Sequence, residues 1–139
     1  MSFREPADLA VLNADCRDTL IAHLGIVFTE AGPDWLRATM PVDARTRQPY
    51  GLLHGGASVV LAESLGSTAG NLCVEPGRIC VGLEINANHL RSARSGVVTG
   101  TARPLHVGRT TQVWEIHIED AAGKPVCVSR LTLAVVDRG

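Results

Sequence analysis

Apolar residues recur early in the chain at Leu9, Leu12, Cys16, Leu20 and Leu24. These steps of three and four predict one amphipathic helix over residues 6–24. A short strand is predicted over 26–31. Over 34–42 the period changes to strict alternation, with Leu36, Ala38 and Met40 set against Trp35, Arg37 and Thr39, the pattern of a half-buried strand. Residues 43–51 are polar and turn-prone and predict a loop. A second helix is predicted over 54–73, carried by the stripe Leu61, Leu65, Ala69 and Leu72. Its propensity is poor, because Gly55, Gly56, Gly66 and Gly70 each cost about 1 kcal/mol in a helix. Such a helix exists only if something packs on it, and small residues such as Ala57, Ser58, Ala62 and Ser64 let other backbone come close. It therefore predicts a central helix wrapped by a sheet. From residue 79 the chain turns β-like: 79–90, 96–106, 110–120 and 125–136 are rich in Val, Ile and Thr and predict four consecutive strands in an antiparallel meander. In the third, Gln112, Trp114, Ile116 and Ile118 point one way and Val113, Glu115 and His117 the other. The fold class predicted is α+β, with one antiparallel sheet curled on one long helix.

Composition narrows the functional classes. The 139 residues predict a single domain spanning 1–139, with little volume for a deep private pocket. A net charge of -1 and 4% aromatic residues argue against a nucleic-acid partner. No run reaches the roughly 18 apolar residues of a membrane span, and the opening residues carry charge without an apolar stretch, so neither a membrane partner nor an export signal is expected. Cys16, Cys73, Cys80 and Cys127 form no CxxC pair and no zinc-ligand spacing, so no metal is expected. They read as reduced thiols, mostly buried, in a cytoplasmic protein.

The chemistry concentrates in the second helix. Glu63 is the only carboxylate between Asp43 and Glu75. Set among small apolar residues, it is expected to be partly desolvated, which suits a general base or nucleophile; the plainer reading is a glutamate that reaches solvent. Ser67 lies one turn on, within reach of Glu63 or of a water beside it, and Ser64 is adjacent; both also read as small packing residues. His54–Gly55–Gly56 opens the helix, where amides lack intrahelical partners. That suits an oxyanion site, with His54 either an added donor or merely a cap. Gln48 in the preceding loop is a further neutral donor. Gly55 and Glu63 are eight residues apart, or about 12 Å along a helix. One carbonyl cannot touch both, so if both act on one bond they come from different subunits. His89, Arg91, Arg94, His106 and Arg109 gather near strand ends. They suit a phosphorylated ligand or are solvated loop charges.

At these residues the chain resembles a known family. The runs RQPYGLLHGGASVVLAESLGS, VGLEINANHLRSARSG and PLHVGRTTQVWEIHIED resemble the hot-dog-fold acyl-CoA thioesterases of the 4-hydroxybenzoyl-CoA thioesterase-like branch, and within it the dihydroxynaphthoyl-CoA and enterobactin-proofreading types. The resemblance implies a hot-dog fold, an antiparallel sheet wrapped around one long helix, in dimers that pair into a homotetramer. It implies hydrolysis of aromatic or medium-chain acyl thioesters, carried by coenzyme A or an acyl-carrier protein. Glu63 would be nucleophile or general base. Gln48, His54 and the Gly55 amide would polarise the carbonyl, Ser67 would position water or Glu63, and Ser64 would line the pocket. Gly82, His89, Arg91, Ser92, His106 and Arg109 would meet the nucleotide of coenzyme A, and no cofactor beyond the substrate's own coenzyme is implied. Asn71 stands where some relatives carry a larger aromatic residue, which alters the implied acyl pocket. Two other readings remain open: a hot-dog dehydratase of hydroxyacyl thioesters, which releases no free thiol, and a non-enzymatic acyl-CoA-binding protein, for which a desolvated Glu63 has no use.

Overall fold

The structure is a computed structural model and describes residues 3–139. Helices α1 (Leu9–Asp15) and α2 (Leu20–His23) precede strands β1 (Val27–Ala31) and β2 (Leu36–Pro41). The long helix α3 (Gly55–Asn71) follows, and then β3 (Arg78–His89), β4 (Val97–Val107), β5 (Thr111–Glu119) and β6 (Pro125–Asp137).

The helix predicted over 6–24 is thus two helices. The chain breaks at Asp18, whose φ is 62°, and the Thr19 hydroxyl donates to the Cys16 carbonyl at 2.5 Å, which replaces the missing helical bond. The break turns the face of the chain: Leu20, counted in the predicted stripe, is exposed, and Ile21 and Leu24 pack on the core instead. Helix α2 ends at Gly25, where φ of 76° favours glycine.

The six strands form one antiparallel sheet in the order β1-β2-β4-β5-β6-β3. The last three strands are the predicted meander. β3 is not part of it: it pairs with β6, from Arg78↔Asp137 to His89↔Cys127, and so lies at the far edge. The alternation expected in β2 and β5 is observed, with Leu36, Ala38, Met40, Gln112, Trp114, Ile116 and Ile118 all buried.

Helix α3 lies across the concave face, with Leu61, Leu65 and Ala69 fully buried. Its interior glycines are contact points. A Cβ on Gly66 would stand 2.5 Å from Leu131 Cδ2, and one on Gly70 would stand 2.5 Å from Leu133 Cδ1, so the helix rests directly on β6. Its C-terminal end is pinned by polar bonds. Gln112 donates to the Gly70 carbonyl at 3.3 Å and accepts from Trp114 Nε1 at 2.8 Å. Asn71 accepts from the Cys80 amide at 2.9 Å and donates to the Ser67 carbonyl at 2.8 Å, tying α3 to β3.

The two sheet edges differ. On β1, Phe28 is satisfied by Asn13 of α1, which accepts from its amide at 2.8 Å and donates to its carbonyl at 2.9 Å. β3 is twelve residues long, has no further strand on its outer side among the described residues, and exposes Val81 and Leu83. A long apolar edge of this kind is a template for another strand.

Candidate active site

The loop before α3 is folded around the side chain of Gln48. A turn closes with the Gly51 amide donating to the Gln48 carbonyl at 2.9 Å, and the Gln48 amide donates to the Leu52 carbonyl at 2.8 Å. Gly51 sits at φ 83°, which a side chain would strain. Within this turn Gln48 Oε1 accepts from the Tyr50 amide at 2.5 Å and from the Leu52 amide at 3.4 Å. Its oxygen is consumed, so the side chain presents its NH2 group outward.

His54 caps α3. Its Nδ1 accepts from the Gly56 amide at 2.8 Å, which places the ring proton on Nε2. The capping and donor readings are therefore compatible: the cap uses the acceptor nitrogen and leaves the donor free. The Ala57 and Ser58 amides bond back to the His54 carbonyl, and the Gly55 amide has no partner among the described residues. Gly55 lies against the His89 ring, where a Cβ would stand 2.8 Å from Nε2.

An open cleft of about 320 Å³ brings together Gln48, Gly55, His89, Arg91 and Ser92. It is held by bonds between the loop before α3 and the connection after β3: Leu53 donates to the Ala93 carbonyl at 2.8 Å, and Arg47 Nη2 donates to the Arg94 carbonyl at 3.0 Å. Ser58, buried and lining the same cleft, was read from the sequence only as a small packing residue. Its signal was its place one turn after His54.

Glu63 is half-buried, and its carboxylate lies against Gly82 so closely that no Cβ would fit there. Ser64 and Ser67 are half-buried on the same helix. Among the described residues no hydrogen bond joins Ser67 to Glu63, so that expected pairing is not formed in the protomer. Ser67 contributes its carbonyl, to Asn71. Asn71 is spent on the bonds that tie α3 to β3 and is exposed, so in the protomer it acts as a structural pin.

The predicted residues fall into two groups. One ladder row runs His89–Cys127–Ile118–Gly100, and another runs Gly82–Leu133–Gln112–Val107. Along β6 these rows are about 20 Å apart. Gln48, His54, Gly55, His89, Arg91 and Ser92 belong to the first end. Glu63 lies at Gly82 on the second row, with Ser64 and Ser67 beside it on α3. Arg109 lies near the same row, lining a depression of about 400 Å³ with Arg78, and exposed His106 packs on Gly108. The expectation that the five basic loop residues cluster is therefore corrected. They look alike in sequence, but the ladder sends His89 and Arg91 to one end and His106 and Arg109 to the other.

The thiols are Cys80 and Cys127, buried, and Cys16 and Cys73, half-buried; all four are free. Burial, followed by the neighbouring Cys73, pushes Cys80 up to about 11. Among the described residues no group of three or more His, Cys, Asp or Glu side chains is placed to hold a metal ion. No helix among them is long and apolar enough to cross a membrane.

Known proteins match along the whole chain. The thioesterase superfamily matches residues 50–127. The chain is 55% identical to the 1,4-dihydroxy-2-naphthoyl-CoA hydrolase of Escherichia coli, over 98% of this chain and all of that protein. It is 52% identical to a proofreading thioesterase, EntH, of Klebsiella pneumoniae, over 98% and 99%. Among solved structures, a thioesterase of Haemophilus influenzae superposes with a TM-score of 0.96 at 53% identity, covering 99% of this chain and 96% of that one.

Proposed function

Since this chain belongs to the thioesterase superfamily and is a thioester hydrolase of the hot-dog fold, we propose that it hydrolyses aromatic or medium-chain acyl-CoA thioesters in a site shared by two copies. One observation carries the reading: at the first end of the molecule Gln48, His54 and Gly55 all present donors. The acceptor atoms of Gln48 and His54 are already occupied by backbone amides. What faces outward is the Gln48 NH2 group, the His54 Nε2 proton and the free Gly55 amide, three donors suited to a carbonyl oxygen that gains negative charge.

The base or nucleophile is Glu63, and it is not within reach of those donors in its own chain. Along the helix the two are separated by about 12 Å, so the partner copy supplies the donors. As base, Glu63 takes a proton from water, whose oxygen attacks the carbonyl carbon. As nucleophile, its oxygen attacks directly and water cleaves the resulting anhydride. In either case charge develops on the carbonyl oxygen, the carbon–sulfur bond breaks, and coenzyme A leaves as a thiolate that takes up the proton given by the attacking water. His89, Arg91 and Ser92 beside the donor end, with Gly82, His106 and Arg109 of the other copy, suit the negative coenzyme. An acyl-carrier protein as carrier fits the same donors. The assembly proposed is a homotetramer built as a dimer of dimers, in the cytoplasm, a location consistent with four free thiols.

Glu63→Ala tests this. The variant is expected to lose most turnover of benzoyl-type CoA thioesters, read by a thiol-reactive dye, while its oligomer by light scattering is unchanged. A wild-type kcat in that variant overturns the mechanism.

A further inference from the structure

Resting on the thioesterase reading above, we infer that Ser58 is a further catalytic residue, whose hydroxyl donates a hydrogen bond to the thioester sulfur as it leaves as a thiolate. The donors on Gln48, His54 and Gly55 all serve the carbonyl oxygen. The reaction also places negative charge on the sulfur, and a charge that develops in the transition state calls for a donor of its own.

Ser58 closes the first turn of α3, three residues after Gly55 and four after the capping His54. It is 1% exposed, and among the described residues its hydroxyl has no hydrogen-bond partner. A buried hydroxyl left unpaired is costly, so native proteins rarely keep one without a use. A helical serine ordinarily settles the matter by bonding back to the carbonyl four residues earlier. Here that carbonyl is full. His54 accepts from the Ala57 amide at 3.0 Å and from the Ser58 amide at 3.2 Å, which takes up both lone pairs. Nor is the hydroxyl sealed in the core. Arg78 Nε is the one fully buried side-chain nitrogen or oxygen without a hydrogen-bond partner among the described residues. The Ser58 oxygen therefore keeps an opening, and the opening beside it is the cleft that it lines with Gly55 and His89.

Position selects the atom it meets. From Gly55 to Ser58 the helix rises about 4.5 Å. An oxygen bonded to the Gly55 amide stands about 2.9 Å beyond that amide, toward the helix start. The hydroxyl is thus set back from the oxyanion by more than one hydrogen bond. His89, Arg91 and Ser92, which suit the coenzyme, line the same cleft. The coenzyme arm that reaches them brings its sulfur, bonded to the carbonyl carbon, over Ser58. Side chains on a helix lean toward its N-terminus, which turns the hydroxyl to that sulfur. A thioether-like sulfur is a weak acceptor, whereas a thiolate is a charged one. The bond therefore strengthens as the carbon–sulfur bond breaks, and it favours the transition state over the bound substrate. The hydroxyl keeps its own proton throughout; the thiolate takes up the proton that came from water.

Three benzoyl thioesters test this. One carries a simple alkyl thiol, one an N-acylated aminothiol with the amide nearest the sulfur of coenzyme A, and one thiophenol, an acidic thiol that leaves with little help. Ser58→Ala is expected to lower kcat/KM about 10- to 100-fold on the first two, the worth of one hydrogen bond to a charged group. On the thiophenol ester its turnover should approach wild type. Ser58→Cys keeps a weak S–H donor and should fall between. Because the fold gives this hydroxyl no partner, Ser58→Ala is expected to melt no lower than wild type. The gradation across the thiols decides the matter, since a packing defect slows all three esters alike. An equal loss on all three, no loss on any, a loss confined to KM on the ester bearing the amide, or a lowered melting temperature overturns the role. A wild type that cleaves neither these esters nor benzoyl-CoA refutes the proposed activity, and this role with it; the other outcomes arise only in an active enzyme and leave the activity standing.

Discussion

Gly82→Ala is a small change with a large expected effect. The position lies on an exposed strand, so the fold has no need of glycine there; a methyl group in a strand interior favours the strand slightly. What the methyl group meets is the Glu63 carboxylate. To restore ordinary van der Waals contact the carboxylate must retreat by about 1 Å, which a glutamate does by turning its flexible end. The cost to stability is therefore small, within about 0.5 kcal/mol. The cost to catalysis is not, because a misplacement of about 1 Å lowers the rate about 100-fold. Steady-state assays with a benzoyl-type CoA thioester are expected to show kcat down by about that factor, with KM and the melting temperature near wild type. Glu63→Asp, one methylene shorter, yields room to the new methyl group. In the Gly82→Ala background it should therefore cost less than it does alone. A kcat within twofold of wild type refutes the placement of Glu63. A loss confined to KM would instead make Gly82 a coenzyme contact, the role its resemblance implies.

Two further outcomes test the donor end and the core. His54→Ala removes both the α3 cap, at about 1 kcal/mol, and the Nε2 donor. His54→Asn restores the cap and should recover the melting temperature but not kcat; recovery of both makes His54 a cap alone. The Cys80 thiol is pushed from its ordinary 9.0 to about 11 in the folded chain. The unfolded chain releases this proton first as pH rises, so stability is expected to fall between about pH 9 and 11. Denaturant titrations across that range should show a shallower fall in Cys80→Ala.

Much of the architecture was legible because it is written in local periods. The alternation of Leu36, Ala38 and Met40 and the helical stripe of Leu61, Leu65 and Ala69 each bury the expected face. The glycines of α3 were readable as close approach, and Gly66 and Gly70 touch β6. Two things were not legible. The break at Asp18 hides inside a sequence period that runs on through Leu12, Cys16 and Leu20, although in the structure Leu20 is exposed and Ile21 takes its place on the core. The place of β3 beside β6 is a tertiary choice: its pattern says strand, and no local feature says which neighbour it takes. The candidate site shows the same division. Gln48, His54, Gly55 and Glu63 stood out by residue type and spacing. That Gln48 shows its NH2 group depends on the Tyr50 and Leu52 amides, a contact no spacing rule contains.

The Gln48, His54 and Gly55 donors have a further effect, on the end of the reaction. Hydrolysis turns a neutral thioester into a carboxylate, and carboxylate oxygens suit the Gln48, His54 and Gly55 donors as well as the fleeting oxyanion does. On the proposed reading, the donors that serve bond cleavage also hold the acid it produces. Release then depends on competition from solvent: in the protomer His54 and Ser92 are exposed and Tyr50 stands 84% free at the loop tip. The partner copy proposed to complete the site therefore sets how fast acid exchanges for water.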